Sequence, residues 1–176
     1  EQKEKIIRSI GIARFLYNQY IAYNRKRYKM YQRGLLDDHQ KHFVSANAFD
    51  KYVNHKLKKE LPWIDTCGSK ARKKALVNAE TAFKKFFKGE ALFPRFKKKA
   101  KQDVKLYFPK NNKGDWKIWR HKLMIPTLKQ VRLKEFGYLP VGVPVISGTV
   151  SCKAGRCYVS VVVDIDEKSK YNKDLE

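Results

Sequence analysis

The stretch AETAFKKFFKGEALFPRFKKK, residues 79–99, mixes aromatic rings and cations at helical spacing and then becomes an almost purely basic run. Phe83, Phe86 and Phe87 stand three and four residues apart, so on a helix they share a face with lysines on either side. The glycine that follows is placed to end this helix, and Pro94 pushes the residue before it into an extended conformation. The pattern predicts a packed helix that leads into an extended basic strap.

A strap of this kind can follow a phosphate backbone, because each neutralised phosphate releases condensed counterions. We interpret the phenylalanines as core and the cations as a nucleic-acid surface. The alternative is that the lysines only solvate the helix. The candidate binding residues in this stretch are Lys84, Lys88, Arg95, Lys97, Lys98 and Lys99.

The composition of the whole chain points the same way. Forty Lys and Arg against 17 Asp and Glu leave a formal charge of +23 on 176 residues, which is far more than solubility requires. Because 43% of the residues are hydrophobic and 13% aromatic, the chain is not a disordered basic tail. It contains no apolar run long enough for a membrane span and no visible signal peptide, so we expect a cytoplasmic protein associated with the nucleoid.

The first half of the sequence reads as three helices. Apolar residues recur at helical steps from about residue 3 to 33, and Gly34 is a natural stop. Ser45 is a suitable N-cap for a second helix, which Pro62 ends. A third helix starts near Ser69. Three amphipathic helices can close on one another as a small bundle.

The second half changes to short segments that are rich in β-branched and aromatic residues and are separated by turns. The clearest pair is a hairpin with a tight turn at Ala154 and Gly155. We therefore predict an α+β fold, with a bundle of about three helices followed by an antiparallel β-barrel-like module. The predicted strands are residues 104–108, 116–119, 122–125, 130–133, 144–153 and 156–165.

Tyrosines recur along the first helix. Rings beside arginines can stack on unpaired bases, but a helix also needs a packed face. We assign Tyr17, Tyr20 and Tyr28 to the core or to a groove lining. The nucleic-acid candidates on this helix are Tyr23, Arg25, Lys26, Arg27, Tyr31 and Arg33.

The remaining reactive side chains give no catalytic constellation. Cys152 and Cys157 would face each other across the hairpin, and we favour free buried thiols over a disulfide or a zinc site, since three cysteines fit a reducing compartment. The four histidines have no paired nucleophile. Asp164, Asp166 and Glu167 read as an exposed strand end rather than as metal ligands.

Several short segments, in this order, carry a family resemblance: RFLYN (14–18), LPW (61–63), AETAFKKFF (79–87), FPRFKKK (93–99), LMIPTL (123–128) with VRL (131–133), and a hairpin from GTVS (148–151) to YVS (158–160). Together they resemble the N-terminal lobe of TnpB, the OrfB-type protein of bacterial insertion sequences that is related to type V CRISPR nucleases. The resemblance implies a helical recognition segment set into a wedge-type β-barrel. It also implies two partners, a guide RNA from the transposon end and double-stranded target DNA, and no membrane.

The same resemblance predicts a division of the chain into three parts. Residues 1–100 would be the recognition segment with helix-turn-helix character, 101–166 the wedge barrel, and 167–176 a linker toward a RuvC-like nuclease domain that this sequence lacks. We therefore expect no enzymatic activity and no cofactor in this chain. Magnesium and zinc would belong to the nuclease domain of the parent RNA-guided DNA endonuclease, which older descriptions call a transposase.

For reading the motif beside the target, the resemblance points to the start of the third helix and to the loop after the first predicted strand. Lysine can donate to guanine and asparagine to adenine, and a helix N-terminus favours phosphate. The candidates are Ser69, Lys70, Lys73, Lys110 and Asn111. Two other functions stay open: a nuclease-dead RNA-guided repressor, and a basic structural RNA-binding protein.

Overall fold

The computed structural model describes residues 1–37, 42–99, 105–110, 115–153 and 155–164. Helices occupy the first half and antiparallel strands the second, which confirms the predicted α+β class. The helices are α1 (Gln2–Gln32), α2 (Ala46–Tyr52), α3 (Lys58–Glu60) and α4 (Ser69–Phe87). The strands are β1 (Leu106–Pro109), β2 (Lys117–Ile118), β3 (Lys122–Ile125), β4 (Lys129–Arg132), β5 (Val145–Lys153) and β6 (Arg156–Val163).

Helix α1 is a single helix of 31 residues, and its bounds lie within one residue of the prediction. It ends because Gly34 takes a positive φ of 67°, a conformation that glycine adopts without steric cost. Tyr17 and Tyr20 are buried, as expected, whereas Tyr28 is half-buried.

The second predicted helix is present but is not regular. Ser45 caps it, since its hydroxyl oxygen accepts the N–H of Ala48 at 3.3 Å. Helix α2 then runs through a π-helical turn into α3. Phe49, Val53 and Leu57 are all buried at a spacing of four. The wider π turn offsets the angular drift that this spacing has on an α-helix, so all three side chains reach the core.

Helix α4 begins at Ser69 and is followed by Gly89 at a φ of 73°. Phe83 is fully buried, Phe86 is half-buried, and Phe87 is 39% exposed. The expectation that all three rings share the packed face is therefore wrong for Phe87. Phe87 is the last residue of α4, and its ring contacts those of Phe43 and Phe83 while the rest of it remains exposed.

The strands form two antiparallel sheets of three strands each, in the orders β1-β5-β6 and β2-β3-β4. All six predicted strands are present. Closure of the two sheets into one barrel stays a prediction.

A tryptophan side chain determines which residue type one position of β5 can hold. Gly148 is buried opposite Phe108 in the register, and the indole ring of Trp116 lies directly against it. A Cβ at position 148 would meet Trp116 Cη2 in a clash and would stand 2.8 Å from Cζ2. Glycine is therefore needed here because another side chain occupies the space.

Cys152 and Cys157 are opposite each other in the β5–β6 register and form a disulfide. Our preference for free thiols was wrong at this pair. The predicted register already brought the two Cβ atoms within bridging reach, so the error lay in inferring free thiols from the number of cysteines. Cys67 is a free and buried thiol, and burial raises its pKa to about 11.

The helices and the sheets share one core. Helix α1 packs against α4 and also against β1 and β5. Near its first turn, the Gln2 amide donates to the carbonyl of Gln130 at 2.6 Å and the Lys5 ammonium donates to that of Thr127 at 2.9 Å. In the described part of the chain, no helix combines the length and the apolar character that crossing a membrane requires.

Candidate nucleic-acid interface

The basic strap, residues 93–99, lies along helix α1. At one end, the Phe93 ring lies 6.2 Å from that of Tyr28. At the other, the backbone of Lys97 pairs with Asn18. Four extended residues span about 13 Å, and ten helical residues rise about 15 Å. The strap is therefore extended, as predicted, and runs back toward the N-terminus of α1.

The pairing of Asn18 with Lys97 fixes the strap to the helix. Asn18 Oδ1 accepts the Lys97 N–H at 2.8 Å, and Asn18 Nδ2 donates to the Lys97 carbonyl at 3.0 Å. The Lys97 ammonium lies 4.3 Å from the centroid of the Tyr17 ring. Its side chain is half-buried, and this burial lowers the pKa of the ammonium from its ordinary value. Lys97 thus packs against the helix.

The neighbours of Lys97 point outward. Arg95, Lys98 and Lys99 are exposed, and the ring of Phe96 is 42% exposed between them. The strap therefore presents three cations and one aromatic ring on a backbone that the helix holds in place. A phosphate backbone could bind along these cations with little ordering of the strap, because the helix already holds the strap backbone.

Some of the predicted nucleic-acid-binding residues of α1 contact aromatic rings of the protein itself. Tyr23 is 43% exposed, with its ring 5.4 Å from that of Phe49. The Arg25 guanidinium lies 5.8 Å from the Phe93 ring centroid, so this helix cation lies beside the first residue of the strap. Lys26 is exposed and Arg27 is half-buried.

The end of α1 carries an aromatic cluster. Tyr31 is 54% exposed, and its ring lies 5.0 Å from that of His42. The His42 ring meets the edge of Phe87 at 5.5 Å. Arg33 is exposed at the C-terminal boundary of the helix. Two partly exposed rings therefore lie at the end of the helix where Arg33 is also exposed.

Two predicted cations on α4 have acidic neighbours. The Lys84 ammonium lies 3.5 Å from Glu80, and that of Lys88 lies 3.9 Å from Glu90. Both lysine side chains are more than 60% exposed. Both partners of the Lys88–Glu90 pair are more than half exposed. Such a pair contributes about 1 kcal/mol or less, so a phosphate group can compete for Lys88.

The residues predicted to read the motif beside the target lie at the start of α4, directly after a turn that Arg72 stabilises. Arg72 is 4% exposed, and its Nη1 donates to the carbonyls of Ile64 and Cys67 at 3.2 and 3.0 Å and to Asp65 Oδ1 at 2.8 Å. Lys58 and Arg72 together hold the pKa of the Asp65 carboxyl below its ordinary value. This brace fixes the entry into α4.

Ser69, Lys70 and Lys73 are exposed on the first turns of α4. The α4 N-cap, Gly68, has no capping side chain and packs against Thr127 of the β3–β4 turn, where a Cβ would lie 3.1 Å from the methyl group. Backbone N–H groups at this end are therefore left for solvent or an anion.

Lys110 follows β1, where its N–H donates to the carbonyl of Ile146 at 3.0 Å and its side chain is exposed. The last predicted site residue, Asn111, lies outside the described residues.

Comparison with known proteins bears on this surface. The signature described as a helix-turn-helix domain of the OrfB IS605 type matches residues 1–33. InsQ of Escherichia coli (strain K12), named as a candidate RNA-guided DNA endonuclease, is 27% identical over 161 residues. That alignment covers 92% of this chain and 37% of InsQ.

The chain is TnpB-like. The match covers helices and strands together, so the TnpB-like character is not confined to the first helix. The TnpB-like chain spans little more than a third of InsQ. Residues 1–33, which match the helix-turn-helix description, form one uninterrupted helix with its boundary at Gln32.

Sequence reasoning about the TnpB-like chain missed three polar residues that organise the site. Asn18 holds the strap, and Arg72 braces the start of α4. Asn24 is 1% exposed and pairs with the backbone N–H and carbonyl of Val44 at 2.8 and 3.3 Å. The usable signal was positional for Asn24, which lies on the buried face of α1 with Tyr17 and Tyr20. Asn18 is half-buried and lies about 100° around the helix from Tyr17, so the same signal does not identify it.

Proposed function

We propose that this chain is the nucleic-acid-binding lobe of a TnpB-like RNA-guided DNA endonuclease, in which it binds the guide RNA and the DNA beside the target. The observation that carries the proposal is the strap. Its backbone is held by Asn18 while Arg95, Lys98 and Lys99 are left exposed. A chain with a formal charge of +23 repels itself unless a polyanion lies against it.

In this proposal the strap and the outer side of α1 contact RNA mainly through phosphates. Sequence choice is delegated to base pairing in this class of protein, so the protein needs shape and charge more than base contacts. Tyr23 and Tyr31 would add stacking on unpaired bases at the helix surface.

The start of α4 is assigned to the DNA beside the target. Ser69, Lys70 and Lys73 would meet phosphates and base edges there, and Lys110 would approach from the strand side. The uncapped N–H groups at Gly68 support this assignment, because a helix N-terminus favours anions.

The proposal gives these residues binding and leaves cleavage, with its magnesium and zinc, to the nuclease part of the parent protein. We assign 1–100 to recognition and 101–166 to the wedge module, and we place the protein in the cytoplasm near the nucleoid. Within the described residues, no group of three or more His, Cys, Asp or Glu side chains could hold a metal ion.

The decisive experiment isolates the chain from cells together with its RNA and sequences that RNA. The test variant reverses Arg95, Lys98 and Lys99 to Glu. The matched control reverses three exposed lysines of the α2–α3 segment, Lys51, Lys56 and Lys59, for the same change in net charge.

We expect transcripts of the transposon end with the wild type and the control, and their loss with the test variant. Enrichment of ribosomal RNA would instead support a basic structural RNA-binding protein and would overturn the proposal. Equal loss in both variants would show that net charge, and not the strap, retains the RNA.

A further inference from the structure

A second aromatic surface lies on the strand half of the molecule, outside every site considered above. The loop between β4 and β5 exposes Phe136 and Tyr138 at 61% and 82%. Leaving a ring of this size in water forgoes the free energy that its burial would release. Two such rings within three residues form an exposed apolar patch, and patches of this kind mark interaction sites.

The loop is held to the β2–β3 turn by backbone hydrogen bonds. The N–H of Leu133 donates to the carbonyl of His121 at 2.8 Å, and that of Gly137 donates to the carbonyl of Arg120 at 2.7 Å. Gly137 reaches this geometry with a φ of 73°. The rings are therefore presented on a braced loop, and little ordering remains to be done on binding.

Cationic and aromatic groups already stack on Phe136. The Arg120 guanidinium carbon lies 4.2 Å from the ring centroid. The His121 ring lies 5.7 Å away at an interplanar angle of 16°. On the neighbouring strand, the Lys117 ammonium lies 5.3 Å from the Trp119 ring. This surface thus combines flat rings with positive charge.

The charge around the rings selects the class of partner. Residues 117–138 contain six cations and one acid, Glu135. A protein partner would have to be strongly acidic and aromatic to match both features. An unpaired nucleic-acid strand matches them directly, because its bases stack on rings while its phosphates pair with cations.

We propose that Phe136 and Tyr138, with Arg120 and His121, form a stacking site for unpaired bases of an RNA strand. The choice of RNA as the strand rests on the proposed function, whereas the stacking site itself rests on the ring exposure and the charge. Bases inside a duplex are already stacked, so a duplex of the same length would not engage these rings.

The test measures affinity for two probes, a labelled oligouridylate of about 12 nucleotides and a blunt RNA duplex of the same length. Phe136→Leu and Tyr138→Leu keep apolar bulk and remove the aromatic face. Tyr158→Leu, on β6, is the matched control, because it removes a ring that is 54% exposed elsewhere. Tyr138 is so exposed that its replacement has no packing to disturb.

We expect each test variant to bind the single strand about five-fold or more weakly, with the duplex affinity and the slope against salt unchanged. Tyr158→Leu should bind both probes like the wild type. Unchanged single-strand affinity in both test variants, or an equal loss for the duplex, would overturn the stacking site.

The outcomes also separate this inference from the proposed function. A wild type that binds neither RNA probe contradicts both proposals. A wild type that binds RNA while the ring variants match it contradicts only the stacking site. A wild type that prefers an oligothymidylate of equal length, with the same loss in the ring variants, contradicts the assignment to RNA.

Discussion

Asn18 forms hydrogen bonds with both backbone polar groups of Lys97, 79 residues further along the chain. Asn24, on the same helix, does the same for Val44. An amide side chain suits this role, because its oxygen and its NH2 group lie in one plane and can accept and donate at once. Helix α1 thus positions two irregular segments without relying on apolar contacts alone.

We predict that Asn18→Ala loosens the strap. The loss of two partly buried hydrogen bonds should lower the free energy of unfolding by about 1 to 3 kcal/mol, and trypsin should cleave faster after Lys97, Lys98 and Lys99. Chemical denaturation and timed proteolysis measure the two effects. Gln19→Ala, at the exposed neighbouring position, should change neither. Unaltered cleavage in Asn18→Ala would show that other contacts hold the strap.

The three consecutive strap lysines should behave differently from one another. Lys98→Glu and Lys99→Glu should each reduce the slope of log affinity for RNA against log salt by about 0.7 to 0.9, with little change in melting. Lys97→Glu should lower the melting temperature, because its ammonium packs on Tyr17. Salt titrations and thermal melts of the three variants decide this. Three equal salt effects would contradict the packed role of Lys97.

Burial should rank the phenylalanines of α4. Phe83 is fully buried and its ring contacts those of Tyr20 and Phe43, so Phe83→Ala should cost about 3 to 5 kcal/mol. Phe86→Ala should cost clearly less, since that ring is half-buried. Urea denaturation gives both values. Equal losses would mean that the exposed side of Phe86 is covered in solution.

Two Gly→Ala substitutions should have opposite effects. Gly148→Ala drives a methyl group into Trp116 and should destabilise the protein by about 1 to 3 kcal/mol. Gly11→Ala, inside α1 with no atom within 4 Å of the new Cβ, should stabilise it by about 0.5 to 1 kcal/mol. Trp116→Phe removes the clashing atoms and should reduce the penalty of Gly148→Ala in the double variant. Additive losses would refute the steric explanation.

The hairpin disulfide should contribute modestly to stability. A bridge over a sequence separation of five restricts the unfolded chain by about 2 kcal/mol on the loop-entropy estimate. A thiol reductant should therefore lower the melting temperature of the wild type. The Cys152→Ser/Cys157→Ser variant should melt at that lower temperature with or without reductant. Identical melting of all four samples would remove any stabilising role for the bridge.

Local chemistry was sufficient to predict much of the fold. Gly34 ends a helix through its positive φ, and Ser45 starts one through its side-chain hydrogen bond. Both features depend on adjacent residues only, so the sequence is enough to predict them. The hairpin register followed from its two-residue turn. The oxidation state of Cys152 did not, because it depends on chemistry that residue spacing does not specify.

The parts that sequence did not predict depend on contacts between distant segments. No local pattern distinguishes Lys97, which packs on Tyr17, from Lys98, which does not. The buried role of Arg72 likewise requires the carbonyls of a preceding turn to converge on it. The sequence alone does not show which basic residues of a charged run are packed and which are exposed.

Helix α1 also sets a distance. Its 31 residues make a rod of about 46 Å. Gln2 and Lys5 fasten one end to the β3–β4 turn, and the other end reaches the aromatic cluster around Tyr31. The helix therefore holds its two ends a fixed distance apart. A polymer that contacts both ends must span that distance.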